Sequence, residues 1–263
     1  MFSKTYSIGF IVVATIIAAS LLASANLALK DRQQANVEAD KKKKILAAIG
    51  MPVEPGTPSP EVNKIFDENV LTIYVDTAGK EVEAPQGKFD HLKTLKTYSV
   101  HVNPVVKDPK ATKDPLEGLV LELFAQKGED GKPSAYVVPL YGKGLWGTMY
   151  GFLTLGGPQF NDIHALVFYE HIETPGLGGE VENPRWKALW DGKKVRDADG
   201  AYQIRVIKGS APTDSLHEVD GLSGATITSR GVTNLLRFWL GDLGFGPFLS
   251  QLSRTPETTE GGQ

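Results

Sequence analysis

No cysteine occurs among the 263 residues. That absence excludes disulfides, thiolate metal sites, iron–sulfur ligation and a lipid-modified N-terminal cysteine, so any redox role must rest on another kind of cofactor. A surplus of positive charge is missing too, since 28 Lys and Arg stand against 31 Asp and Glu for a formal net charge of −3. Nucleic-acid-binding domains carry a basic footprint, so no nucleic-acid partner is expected. Histidine is scarce, and His91, His101, His164, His171 and His217 show no H-x-x-x-H spacing. His164 and His171 share one expected strand at an odd separation, which puts them on opposite faces and argues against a metal site. No internal repeat is present. What the chain does have is 41% hydrophobic content, over a length that suits one large domain or two small ones.

Charge is also absent from Thr5 to Leu29, a run of apolar and small side chains. A helix of about 20 such residues crosses the hydrocarbon layer of a membrane. A cleaved signal peptide is the rival reading, because "ASA" at 23–25 fits an A-x-A cleavage site. The run exceeds a usual h-region of about 7 to 15 residues, and only Lys4 precedes it, so a retained anchor is expected. Lys30, Arg32 and the lysines at 41–44 follow it, which by the positive-inside rule places the main domain in the cytoplasm. Those four lysines lie near the limit of the rule's reach and are interspersed with Asp31, Glu38 and Asp40, so the charge count carries little weight.

Residues 30–50 read as a polar helix stopped by Gly50 and Pro52, and 51–61 as a proline-rich linker. Runs rich in β-branched and aromatic residues follow at 70–76, 97–103, 119–125, 134–142, 148–155, 163–172 and 201–209. Short strands with few helices between them indicate an α+β domain: an N-terminal transmembrane helix, then a largely antiparallel sheet with flanking helices. At 229–243, Val232, Leu235, Leu236, Trp239 and Leu243 recur at helical spacing, followed by a glycine-rich exit. The last residues read as a disordered tail.

Three short stretches stand out. Gly142, Gly144 and Gly147 form a G-x-G-x-x-G string, but a dinucleotide fold needs that string to open a helix. Here a strand-like run follows, so a β-turn is expected, and Trp146 on it is either a core aromatic or a platform for a flat ring. In "EHIETPGLGGE" (170–180), Pro175 and Gly176 suit the central positions of a type II turn, with Glu170 and Glu173 at its mouth or simply solvated. In "DGLSGATITSRG" (220–231), Thr228 or Ser229 suits the N-cap of the apolar helix. The same helix start offers unpaired N–H groups to a phosphate, and a hydroxyl beside it could carry a phosphoester.

"DGLSGAT" resembles the D-x-x-(S/T)-G-A-T target of the covalently flavinylated FMN-binding domain family, while "HIETPGLG" and "GKGLWG" resemble its other motifs. With the anchor and the ending "FWLGDLGFGPFL", the whole chain is most similar to the C subunits of sodium-translocating NADH:quinone oxidoreductases. The G subunit of the Rnf ferredoxin:NAD complex is the nearest alternative, followed by a membrane-anchored flavin-binding protein without relay function. The resemblance implies FMN joined by a phosphoester to Thr226, with Thr228 the internal rival for attachment. It implies a recognition shell of Asp220, Ser223, Gly224 and Ala225, with Thr228 also among the cofactor-binding residues. Around the flavin it implies Gly144, Leu145, Trp146, Glu173, Thr174, Gly176, Leu177 and Gly178, with Lys208 balancing charge. No metal and no residue catalytic alone is implied. The implied partners are a flavin transferase and the other subunits of a multi-subunit redox complex of the bacterial inner membrane, relaying electrons toward quinone as sodium is pumped. The implied organisation is an anchor at 1–29, a helix and linker at 30–60, an extracytoplasmic FMN-binding domain at 61–250 and a tail at 251–263.

Overall fold

The computed structural model describes residues 3–86, 93–94 and 119–252. The strand expected at 97–103 and residues 253–263 of the expected tail lie outside them. The apolar run and the polar segment after it form one helix, α1 (Lys4–Ala48). No Gly or Pro occurs from Phe10 to Ile49, so nothing interrupts the hydrogen-bond ladder. Ser3 caps its start by accepting the Tyr6 N–H. At its end Gly50 takes φ +78°, and the N–H groups of Gly50 and Met51 donate back to Ala47 and Leu46, the paired bonds of a Schellman stop. The stretch Ile8–Lys30 has mean hydropathy 2.4 and no buried residue, which is long and apolar enough to cross a membrane. The last turns differ: Ala39, Ile45 and Leu46 are buried, Lys41 pairs with Glu122 at 2.6 Å, and the Thr154 hydroxyl donates to the Ala48 carbonyl. The segment read as polar thus also supplies core.

The proline-rich stretch gives way early to α2 (Ser59–Asn69). Pro60 sits in its first turn, where an N–H needs no intrahelical acceptor, and Val62 and Phe66 at i and i+4 bury one face. The sequence gives little sign of that helix, because prolines at 52, 55, 58 and 60 dominate the window.

The strands β1 (Val70–Val75), β2 (Glu81–Val82), β3 (Leu121–Lys127), β4 (Pro133–Lys143), β5 (Thr148–Gly156) and β6 (Asp162–Glu170) form one sheet in the order β2-β1-β3-β4-β5-β6. Every pairing in it is antiparallel. Alternate residues serve opposite faces: Leu121, Leu123, Tyr136, Val138, Leu140, Leu153 and Leu155 meet the C-terminal helices, while Phe124, Val137 and Phe152 meet α1 and α2. Both faces are therefore covered, which is why the central strands read as nearly unbroken apolar runs. Pro139 sits inside β4, yet the β3–β4 ladder ends at Val137, so the N–H that proline lacks is not missed there.

Two further expectations need correcting. The run at 201–209 yields only β7 (Arg205–Val206), which pairs in parallel with β8 (Glu218–Val219). The residues before β7 are drawn elsewhere, since the N–H groups of Gln203 and Ile204 both donate to the Val195 carbonyl. The apolar helix is α4 (Thr226–Leu240), preceded by the short α3 (Pro184–Ala188) and followed by α5 (Gly246–Leu252). Val232, Leu235, Leu236 and Trp239 are buried as expected, but Leu243 lies beyond the end of α4 and is 44% exposed. The Leu240 carbonyl is capped by Arg196, and Phe245 folds back to donate to the Trp239 carbonyl, so Phe245 takes the buried place instead.

Candidate functional site

Three connections converge at the N-terminal end of α4. The first is the β4–β5 turn over residues 144–147, closed by the Gly144 N–H donating to the Gly147 carbonyl at 2.8 Å. The glycine string is thus a hairpin turn, and Trp146 on it is 65% exposed. The second follows β6: the Leu177 N–H donates to the Thr174 carbonyl, and Gly176 takes φ +76°, as the second central residue of a type II turn requires. The third is the 220–225 loop, where Gly224 at φ +69° lies against Leu177.

Glycine makes the approach possible. A Cβ on Gly231, in the second turn of α4, would lie 2.3 Å from the Lys143 carbonyl oxygen, and one on Gly142 would lie 2.5 Å from Leu235 Cβ. Glycine costs about 1 kcal/mol relative to alanine inside a helix, so it is kept here for contact rather than helicity. Gly231→Ala should therefore destabilise the domain by about 1–3 kcal/mol, as overpacking does, despite its better helix propensity. Urea unfolding of the two chains measures this, and a gain in stability would contradict the packing described.

The loops meet on Glu173. Its carboxylate is buried, with the residue 5% exposed, and accepts the N–H groups of Leu145 (3.1 Å), Trp146 (2.8 Å) and Gly147 (3.4 Å) together with the Thr228 hydroxyl. Among the described residues no Lys or Arg pairs with it. Burial pushes its pKa up, but the hydrogen bonds from Thr228 and from the main chain at 145–147 outweigh this and leave it below the usual 4.5. A lowered folded-state value contributes stability that is present above pH 4.5 and is lost as the pH falls through the folded value. The wild-type chain should thus lose stability on acidification below pH 4.5 more steeply than Glu173→Gln, by thermal melting across that range. Parallel curves would mean the charge is not held as described.

The main chain at Glu173 is also tied: its N–H donates to His171 Nδ1 at 3.2 Å. Contrary to the sequence expectation, neither Thr228 nor Ser229 caps α4. The helix starts at Thr226 with Ala225 as N-cap and no side-chain cap bond. Thr228 points inward to Glu173, and Ser229 accepts the Leu222 N–H at 3.0 Å. Thr226, by contrast, is exposed, and its first-turn neighbours present N–H groups with no intrahelical acceptor.

The FMN-binding domain family matches residues 144–241, which include all three connections. The C subunit of the Na(+)-translocating NADH-quinone reductase of Pseudomonas aeruginosa is 40% identical over 259 residues, 96% of this chain and 97% of that protein. The chain belongs to the family of C subunits of Na(+)-translocating NADH-quinone reductases. The Pasteurella multocida member is 36% identical over 261 residues, covering 96% of this chain and 97% of that one. The crystal structure of Shewanella oneidensis NqrC superposes with a TM-score of 0.64 at 34% identity, covering 81% of this chain and 97% of that chain. That of the Parabacteroides distasonis C subunit gives 0.65 at 28% identity, over 84% and 97%.

Of the residues the family motifs single out, the structure gathers Gly144, Leu145, Trp146, Glu173, Gly178 and Thr228 into one cluster, with Leu177 touching the turn at Gly224. Thr174 and Gly176 shape their turn and are exposed, as are Ser223 and Gly224, while Ala225 is buried. Asp220 braces the loop: its carboxylate accepts the Ala211 N–H and its carbonyl accepts the Trp186 indole N–H, each at 2.8 Å. Lys208 is exposed on a segment whose neighbours, Ile207 and Gly209, bond to Val219 and Gly221. Sequence reasoning missed Ile172 and Ile227, 69% and 53% exposed beside the cluster, and the close contact at Gly231. A lone glycine inside an apolar helix was the available signal for that contact. A separate groove of about 540 Å³, lined by Arg196, Tyr202, Arg237 and Phe238, lies at the opposite end of α4.

Proposed function

We propose that this chain carries FMN joined by a phosphoester to Thr226 Oγ1 and relays electrons between other subunits of a sodium-pumping NADH–quinone reductase. The observation that carries the reading is the contrast between two threonines in one helical turn. Thr226 is exposed at the first position of α4, whereas Thr228 is 1% exposed and its hydroxyl is spent on Glu173. A phosphate on Thr226 would stand at the positive end of the helix, facing main-chain N–H groups. The exposed faces of Trp146, Leu145 and Leu177 offer a flat apolar ring somewhere to rest. When bound, the flavin supplies the electron-accepting and electron-donating chemistry, and the protein supplies position and electrostatics.

A relay fits this chain better than a self-sufficient catalyst. There is no cysteine for an iron–sulfur cluster, and the glycine turn leads into β5 instead of the helix a dinucleotide needs. Electrons must then enter and leave through partner subunits. The apolar stretch of α1 serves as a single-pass anchor in a bacterial inner membrane, with the flavin domain on the extracytoplasmic side. A reporter fused after Gln263 should be active outside the cytoplasm, and cytoplasmic activity would overturn that orientation. For the cofactor, the full chain expressed with a flavin transferase should give a band fluorescent under ultraviolet light after denaturing electrophoresis. Absence of flavin under those conditions would defeat the carrier reading.

A further inference from the structure

Glu173 has the burial and the hydrogen-bond pattern of a group that acts through others. It is 5% exposed, and its two oxygens already take three main-chain N–H groups and one hydroxyl, all from within the protein. Its cradle is closed by glycine: a Cβ on Gly144 would lie 2.5 Å from Oε1, and one on Gly178 would lie 2.7 Å from Oε2. The helix it touches lacks the usual means of fixing its start, because Ala225 at the N-cap offers no side-chain acceptor. An anionic group near the N-terminal turn stabilises a helix, and here it comes from 55 residues away in the sequence through Thr228.

We propose that Glu173 is the positioning residue of the attachment site, locking the first turn of α4 to the 144–147 turn through Thr228 so that, of the hydroxyls in that turn, only that of Thr226 is presented. This rests on Thr226 being the flavin acceptor. In the attachment step, Thr226 Oγ1 bonds to the flavin-bearing phosphorus of a flavin dinucleotide. The phosphoanhydride bond breaks, the nucleoside monophosphate leaves with the bonding pair, and the hydroxyl proton passes to a base; nothing is oxidised or reduced. Glu173 touches none of these atoms. Its part is to hold the acceptor turn still and to keep the neighbouring hydroxyl of Thr228 engaged.

The test compares the full chain as wild type, Glu173→Gln, Thr228→Val and Thr228→Ser, each incubated with a flavin transferase and a flavin dinucleotide. Rates of flavin incorporation are normalised to the folded fraction from near-ultraviolet circular dichroism. Thr228→Ser keeps the hydroxyl and should load at the wild-type rate. Thr228→Val and Glu173→Gln should load about tenfold more slowly, the effect of one lost hydrogen bond to a charged group. A second readout needs no flavin: in an acid titration followed by NMR, the N–H signals of Leu145, Trp146 and Gly147 should move together below pH 4.5. That movement should vanish in Glu173→Gln and shift to higher pH in Thr228→Val. Wild-type loading by Glu173→Gln, or N–H signals indifferent to its removal, would overturn the proposal. A wild-type chain that loads on another residue would instead overturn the acceptor assignment, and the NMR titration would still decide whether the lock exists.

Discussion

Thr226→Ala is expected to abolish covalent flavin attachment while leaving the fold intact. The side chain is exposed and forms no hydrogen bond among the described residues, so its removal should change stability by no more than about 0.5 kcal/mol. The protein band should lose its fluorescence entirely, because the next hydroxyl along the helix, Thr228, faces a buried carboxylate. Thr226→Ser, which keeps an oxygen in the same place, should retain measurable attachment. The pair therefore separates loss of an acceptor atom from loss of structure. Fluorescence that persists in the alanine variant would mean the acceptor lies elsewhere.

Trp239→Ala is expected to destabilise the domain strongly, by about 3–5 kcal/mol, as for a large aromatic removed from a core. Trp239 is fully buried, its indole N–H donates to the Tyr141 carbonyl at 2.7 Å, and its ring packs on Phe238 and Phe245. The Tyr141 carbonyl lies past the point where β3 stops pairing with β4, and the indole is its partner. Leaving a carbonyl unpaired costs up to about 1–3 kcal/mol when fully buried; the Tyr141 carbonyl is part-buried, and its share is counted within the total. Domains of ordinary stability hold only about 5–15 kcal/mol, so this variant should unfold at markedly lower urea. Trp239→Phe should recover the packing but not the hydrogen bond and should fall between. A loss below about 1 kcal/mol for the alanine variant would contradict a central role for this helix in the core.

Features of the molecule differ in how legible they are in the chain. The central strands could be read from β-branched and aromatic runs because burial on both faces makes them apolar throughout, as Val137, Val138, Leu153 and Leu155 illustrate. The core face of α4 could be read from its 3.6-residue period, but its start could not. Thr228 and Ser229 have the chemistry of N-caps, and local reasoning places the helix boundary at them. Their hydroxyls are instead engaged by Glu173 and by the Leu222 N–H. The existence of α2 was obscured by the prolines of the linker, where turn chemistry competes with propensity, and the length of β7 by the Val195 carbonyl, which takes the N–H groups of Gln203 and Ile204. The membership of the candidate site was legible only as three motifs in series. That they close on one carboxylate depends on contacts over 26 to 55 residues of sequence, which no local pattern encodes.

The proposed role of the chain rests on one oxygen atom, Thr226 Oγ1, as the carrier of the flavin. Trypsin should release residues 209–230 as a single peptide, ending at Arg230 and containing Thr226 and Thr228 together with Thr213. Fragmentation mass spectrometry of that peptide, from chain expressed with a flavin transferase, reads the attachment point directly. The expected result is an added mass of FMN less one water, located on Thr226. The same mass on Thr228, on Thr213 or on a serine of the peptide, or an unmodified peptide from flavin-loaded protein, would contradict it.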